Sequence, residues 1–373
     1  MENDKNKRNW IIAIIVFFIV VFGGGYLMTR NNNTNQNNNN GGTVKSQDNV
    51  KIVANTASQL ILEDYSTSEF SMKKPQGWKV ENGGTGMYYA IKVYDPNETN
   101  NQIFLMLKMQ PLLKSTAGKA FWQNYYKLSG NNSQYKVFAD AVVLEKPTTE
   151  EFYKKFDEIG SYMNSIESTL STFNFPKFSN FAKLEESDSK ASMKSVALDS
   201  KVLRATFTGD NGKQGEGMFM ASIVNFGNQY QGGTDMLYYM AYDIMSITSA
   251  KDEFIDYKDI LLQSANSIEF SDAYVKKTID DGNAQTKQAL ALSASIQAAF
   301  DSYMQAWENR QTTYDIMSQK QSDATLGYER VYNTDTGEIY KAYNGFTDDY
   351  KGETYKSVTD EMYTQKTSGY IEK

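Results

Sequence analysis

The chain has 373 residues, 38 basic and 45 acidic side chains, and neither histidine nor cysteine. Those absences exclude a disulfide scaffold, thiolate chemistry, Ser-His-Asp and Cys-His catalysis and imidazole zinc sites. Past residue 30 the balance is 34 basic against 43 acidic side chains, which excludes the basic footprint that nucleic acid requires.

What remains for chemistry is a carboxylate pair, a Ser-Lys dyad or an oxygen-ligated cation. No motif calls for a cofactor. Asn, Lys, Ile and Tyr are abundant, a usage that reads as the codon bias of an AT-rich genome. Without cysteine, it suggests a bacterial surface protein made without routine disulfide formation.

Residues 10–28 read WIIAIIVFFIVVFGGGYLM, 19 residues without a charge. At ~1.5 Å per residue they just cross a hydrocarbon core of ~30 Å. Ile15, Phe18 and Val21 lie within the run, and Trp10 and Tyr26 fall near its ends, where amphipathic rings favour the interface. Lys5, Lys7 and Arg8 precede it, and only Arg30 follows closely. The positive-inside bias puts residues 1–9 in the cytoplasm and the C-terminal part outside, on a single-pass signal-anchor. A cleaved signal peptide is the alternative. Its apolar core is about 7–15 residues and ends at a small-x-small site, whereas Tyr26, Leu27 and Met28 continue past Gly23, Gly24 and Gly25. A soluble core helix would show polar residues at helical spacing, and this run shows none.

Residues 31–42 (NNNTNQNNNNGG) cannot bury enough apolar surface to fold, so 29–60 reads as a flexible linker with an r.m.s. reach of ~20 Å in its Asn-rich part. From Tyr65 the pattern is strand-like. Phe70, Met72 and Val80 surround Pro75, Gly77 and Trp78; Met87–Tyr94 and Ile103–Met109 follow as strands, separated by Gly, Pro, Asn and Asp. Ser115 caps an expected helix to Leu128, with Phe121, Trp122, Tyr125 and Leu128 on one side. Val137–Leu144 reads as a short strand. Thr148 or Thr149 then caps a helix striped by Phe152, Phe156, Ile159, Met163 and Ile166. Residues 183–195 read as loop. A meander follows, with strands at 196–198, 202–208, 218–226 and 236–247, a hairpin turn at Asp210-Asn211-Gly212 and another turn at Gly232-Gly233. A helix at 250–264 and a short strand at 268–270 close the region.

FSMKKPQGWKV at 70–80 resembles the start of PsbP-like domains: a strand, a Pro, then a Trp and a second strand. The segment 254–270, a helix running into S-I-E-F, is similar to their closing segment. The resemblance covers roughly residues 60–275. It implies an α+β domain over 61–275, with a central antiparallel sheet flanked by helices and a non-catalytic binding or assembly role. It transfers no site residue.

Asp280-Asp281-Gly282-Asn283 reads as a loop. Leu292, Ile296, Phe300, Tyr303, Trp307, Tyr314 and Met317 then recur at three- and four-residue steps, so 284–320 reads as one amphipathic helix of ~50 Å. It either forms a coiled coil or packs on the preceding domain or the tail; Ala, Trp and Tyr make a poor a/d seam.

The tail, 326–373, holds eight tyrosines and a small repeat, Gly337-Glu338-Ile339-Tyr340-Lys341 and Gly352-Glu353-Thr354-Tyr355-Lys356. It reads as short β-hairpins. Tyr328, Tyr332, Tyr340, Tyr355 and Tyr363 are the candidate surface, for stacking on wall glycan or for a partner protein. The alternative is that tyrosine serves as strand former and half-buried packing.

Other signals are weaker. Asp280, Asp281 and Asn283, or Asp210 and Asn211, are fragments of a calcium loop without its closing Glu, and read as turns and not metal ligands. Glu185, Glu186 and Asp188 lie in a polar run. Residues 209–217 (GDNGKQGEG) do not fit a nucleotide loop. The expectation is therefore a membrane-anchored, extracellular, non-catalytic binding or scaffolding protein whose partner is wall glycan or another membrane or surface protein. A wall-modifying hydrolase with two carboxylates ~5–10 Å apart is the alternative. A subunit of a membrane protein complex is a third reading.

Overall fold

The computed structural model describes residues 50–280 and 313–373. The expected membrane anchor (10–28), most of the expected linker and residues 284–312 of the expected long helix lie outside the described residues.

The chain enters through β1 (Ile52–Ala54) and the short helix α1 (Thr56–Gln59), so the last part of the stretch read as linker is ordered structure. Its composition hid this, because β1 gains stability only by pairing with the far end of the chain. Strands β2 (Leu62–Ser66) and β3 (Phe70–Pro75) form a hairpin, and β4 (Lys79–Gly83) and β5 (Ala90–Tyr94) another. Met87 and Tyr88, expected at the start of a strand, lie instead in a 3-10 turn (Gly86–Tyr88) between β4 and β5. Strand β6 (Gln102–Leu113) is longer than its apolar run suggests.

Helices α2 (Thr116–Leu128) and α3 (Ser133–Asp140) form a hairpin, and β7 (Val142–Val143) follows. Ser115 caps α2 as expected, its hydroxyl accepting from Gly118 N at 3.0 Å. The strand expected at 137–144 is overturned for most of its length. Tyr135 and Phe138 gain more by packing on the Trp122 ring, with centroids at 6.3 and 4.6 Å, than a solitary strand would offer.

Thr148 caps α4 (Thr149–Lys154), and α5 (Phe156–Ile166) continues it. Strand β8 (Ser179–Asp188) occupies much of the stretch read as loop. It lies at the sheet edge, where its polar side chains face solvent and pair with one another; Lys183, for example, meets Glu186 at 2.6 Å. Strands β9 (Ala197–Thr208), β10 (Gln214–Asn225), the minor pair β11 (Tyr230–Gln231) and β12 (Thr234–Asp235), and β13 (Tyr238–Ala250) complete the meander. Helix α6 (Phe254–Asn266), β14 (Glu269–Phe270) and α7 (Asp272–Asp280) follow.

The main sheet runs β4-β5-β6-β13-β10-β9-β8, antiparallel throughout, with β7 added parallel to β6. Both faces are covered. Ile103, Leu105 and Leu107 join the core under α6 and the β2–β3 hairpin. Phe104 and Met106 join the aromatic core under α4 and α5. That double burial is why β6 reads as a continuous apolar run rather than an alternation.

Helix α8 (Thr313–Leu326) leads into β15 (Tyr328–Asn333) and β16 (Ile339–Tyr343), which pair as a hairpin. The short helix α9 (Phe346–Asp349), β17 (Tyr355–Ser357) and β18 (Gly369–Ile371) end the chain. The tail is not a set of separate hairpins. Its strands form one sheet, β1-β18-β16-β15-β17, in which β18 runs parallel to β16 and β1 closes the edge.

Candidate binding cleft

The five candidate tyrosines do not form an exposed platform. Tyr340 and Tyr355 are buried with Val331, Ala342, Phe346 and Ile371 in the small core of the tail sheet. Tyr328 and Tyr332 are half-buried, and Tyr328 meets Tyr370 at 5.5 Å. Tyr363 lies against the guanidinium of Arg330, 5.0 Å from its ring centroid. Arg330 is itself buried; its Nε donates to Asp323 Oδ2 at 2.6 Å and a terminal nitrogen donates to Gln319 Oε1 at 2.5 Å, both partners on α8. Tyr340 and Tyr355 thus act as core packing, and Tyr363 covers a buried ion pair.

The carboxylates singled out by sequence are committed to cations. Glu185 lies 4.0 Å from Arg204, Glu186 meets Lys183, and Asp188 meets Lys201 at 2.6 Å. A second pair, Glu253 and Asp256, lines a pocket of about 60 Å³, room for water and not for a sugar ring. Burial raises both carboxyls above their ordinary range. Among the described residues, no group of three or more Asp or Glu side chains is placed to hold a metal ion.

The large opening is elsewhere. A cleft of about 940 Å³ lies between the 84–88 turn, the β2–β3 turn and α7, with Tyr89 and Lys108 on its lining. Local sequence builds each wall. Gly84 and Gly86 adopt φ of +87° and +53°, which lets the chain turn sharply after β4. A Cβ on Gly84 would sit 2.1 Å from the carbonyl oxygen of Tyr88, so no other residue fits that turn. Tyr274 of α7 donates to the Gly86 carbonyl at 2.5 Å and its ring lies tilted against that of Tyr89, centroids 5.1 Å apart, tying the helix to the turn. Asn82 donates to the Tyr89 hydroxyl at 2.8 Å. Burial pushes that phenol up to about 12, so it stays a neutral wall.

Lys108 is the unusual member. It is half-buried on β6, in register with Tyr242 on β13. Its ammonium lies 5.6 Å from the Tyr88 ring centroid and 5.7 Å from that of Tyr242. No carboxylate among the described residues pairs with it. Burial alone pushes its amine down to about 8. Gln110, two residues on, donates to the Tyr88 hydroxyl at 2.6 Å and helps hold that ring in place. On the cleft's rim, Glu69 is held below its ordinary value chiefly by the Ser68 hydroxyl, which donates to it at 2.6 Å.

Sequence reasoning missed Lys108. Its signal was present: one charge inside the apolar run IFLMLKM, on a strand buried on both faces. No protein-family model matches the chain, and no curated protein matches it in sequence.

A second surface stands apart. The α2–α3 hairpin buries few of its residues yet carries Phe121, Trp122, Tyr125, Tyr126, Tyr135 and Phe138. Trp122 is anchored by its indole N–H to Met236 O at 3.0 Å, while Tyr125 is 42% exposed and Leu128 at the tip 86%.

Proposed function

We propose that this chain is a membrane-anchored, extracellular, non-catalytic binding protein, with the cleft around Lys108 as the ligand seat. The observation that carries the reading is a half-buried ammonium without an acid partner, facing an open cleft of about 940 Å³. A buried cation lacking a counter-charge is costly in the empty protein and favourable once a ligand supplies one. The cleft falls in the ~300–1,000 Å³ range typical of small-molecule sites. Glu69 is the one carboxylate on its described lining, so the two-carboxylate arrangement of a glycoside hydrolase has no support there. The PsbP-like pattern at 70–80 and 254–270 fits a binding domain, and the uncharged run 10–28 supplies the anchor.

The first test is lysine footprinting of the full chain with and without size-fractionated small-molecule extract of the producing cell. Joint protection of Lys108 and Lys277, which line the cleft together, is the expected result. In intact cells a membrane-impermeant amine reagent should reach Lys127 and not Lys5 or Lys7; the reverse pattern would overturn the orientation.

The exposed aromatic hairpin favours a second reading, a subunit of a membrane complex that docks through α2 and α3. Protection confined to Lys119 and Lys127 by solubilised membrane proteins, with the cleft untouched, would replace the first reading with this one.

A further inference from the structure

We infer that the cleft's ligand carries a single oxyanion head on a flat apolar body, with the head seated on the Lys108 ammonium. This rests on the cleft being the binding seat proposed above.

The rings of Tyr88 and Tyr242 flank the ammonium at 5.6 and 5.7 Å. They stabilise a cation through their faces but accept no strong hydrogen bond. The ammonium has three N–H donors. Among the described residues none of them reaches an acceptor. Across the β6–β13 pairing Lys108 stands opposite Tyr242, so a ring and not a carboxylate faces it there. An oxyanion supplies acceptors and charge together, in a setting where each is worth more than in water.

The rest of the cleft limits the ligand further. Met87, Tyr89 and Tyr274 provide apolar and aromatic wall, which suits a flat body. Lys277 and Glu69 line the same cleft and offset one another, which leaves the Lys108 charge as the net one for a single oxyanion to balance. Burial lowers the Lys108 amine only to about 8, so the charged form still prevails at neutral pH.

The test uses the full chain in detergent, acylated at pH 8 and mapped by mass spectrometry, with benzoate as the anionic probe and benzamide as its neutral isostere. Benzoate should slow acylation of Lys108 and Lys277, but not of the exposed Lys127, and benzamide should not. In Lys108→Gln the benzoate protection of Lys277 should weaken roughly tenfold, the worth of one charge-assisted hydrogen bond. In Lys108→Arg it should persist, since a guanidinium also seats a carboxylate. Equal protection by both probes would overturn the anionic head and leave the cleft as a seat. Protection by neither would overturn the seat itself. Protection of Lys277 unchanged in Lys108→Gln would place the anion elsewhere and overturn the assignment.

Discussion

Asp256 holds Thr367 with both carboxylate oxygens: Thr367 N donates to Oδ1 at 2.7 Å and its hydroxyl donates to Oδ2 at 3.0 Å. The two residues are 111 positions apart, one on α6 and one just before β18. Asn55, which follows β1, reaches the same segment, donating to the Thr367 carbonyl at 2.7 Å. The tail sheet is thus fastened to the α6 helix through one buried threonine.

Removing that fastening should loosen the tail selectively. Thr367→Val deletes two hydrogen bonds of the hydroxyl, one donated to Asp256 and one accepted from Asn55 at 3.3 Å, and should cost about 1–2 kcal/mol; Asp256→Ala orphans the Thr367 backbone N–H and should cost about 2–3 kcal/mol. Hydrogen exchange at 369–371 should accelerate in both variants while exchange in β10 and β13 stays slow. Equal acceleration in both regions would mean that the tail is no separate unit of stability.

Asp243 should make stability depend on pH in an unusual direction. It sits on β13 at φ +53° and accepts from Ser222 at 2.6 Å, Ser192 at 2.9 Å and the Met193 N–H at 3.2 Å. Burial nevertheless raises its carboxyl. With the folded value above the unfolded one, the folded state takes up the proton first. The contribution is complete below the unfolded pKa and is lost as pH rises through the folded one. Asp243→Asn should cost about 1–2 kcal/mol at pH 7, because one amide oxygen replaces two acceptors where three donors converge. The gap in urea midpoint between the parent and this variant should widen as pH falls toward about 4. A constant or shrinking gap would refute the sign.

Lys108→Met should stabilise the empty protein. The unbranched thioether is only one atom shorter than the lysine side chain, occupies the space between Tyr88 and Tyr242, and removes an ion that burial disfavours. The expected gain is about 1 kcal/mol at pH 7, at the low end for such replacements because the site is only half-buried. Since the folded amine is depressed, the parent should recover this difference as pH rises through about 8 toward 10. Thermal midpoints at pH 7 and 9.5 measure both effects.

The sheet centre should tolerate no added atom at Gly217. A Cβ there would meet the Ile247 carbonyl oxygen at 2.4 Å, across the β10–β13 pairing. Gly217→Ala should cost about 2–3 kcal/mol by overpacking. Phe219→Ala, in the ring cluster with Tyr153 at 5.0 Å and Phe178 at 4.9 Å, should cost about 3–5 kcal/mol by leaving a cavity. Denaturant midpoints of the two variants decide.

Local chemistry was legible wherever it decided structure locally. Ser115 and Thr148 cap the helices that follow them, and Gly212, at φ +74°, turns β9 into β10. The α+β class with an antiparallel sheet flanked by helices could also be read, because apolar runs and turn residues alternate through the meander. Misreadings occurred where a distant partner outweighed the local pattern. Phe138 went to a helix because Trp122 offered its face. Residues 183–188 paired as an edge strand despite their polarity, since ion pairs such as Lys201 with Asp188 cover what an apolar stripe would otherwise supply.

The sequence by itself determined which chemistries are closed to this protein, where the helices capped by Ser115 and Thr148 start and the β9–β10 turn lies, and that one apolar run near the start has the length of a membrane span. These follow from residue type and near-neighbour spacing. Tertiary structure alone decided that Ile52–Ala54 pairs with Gly369–Ile371, that Tyr340 and Tyr355 are core rather than surface, and that Lys108 faces a cleft between two tyrosine rings. Each of these depends on which residues meet across long stretches of chain, and burial, unlike helix capping, is a property of the whole packed fold.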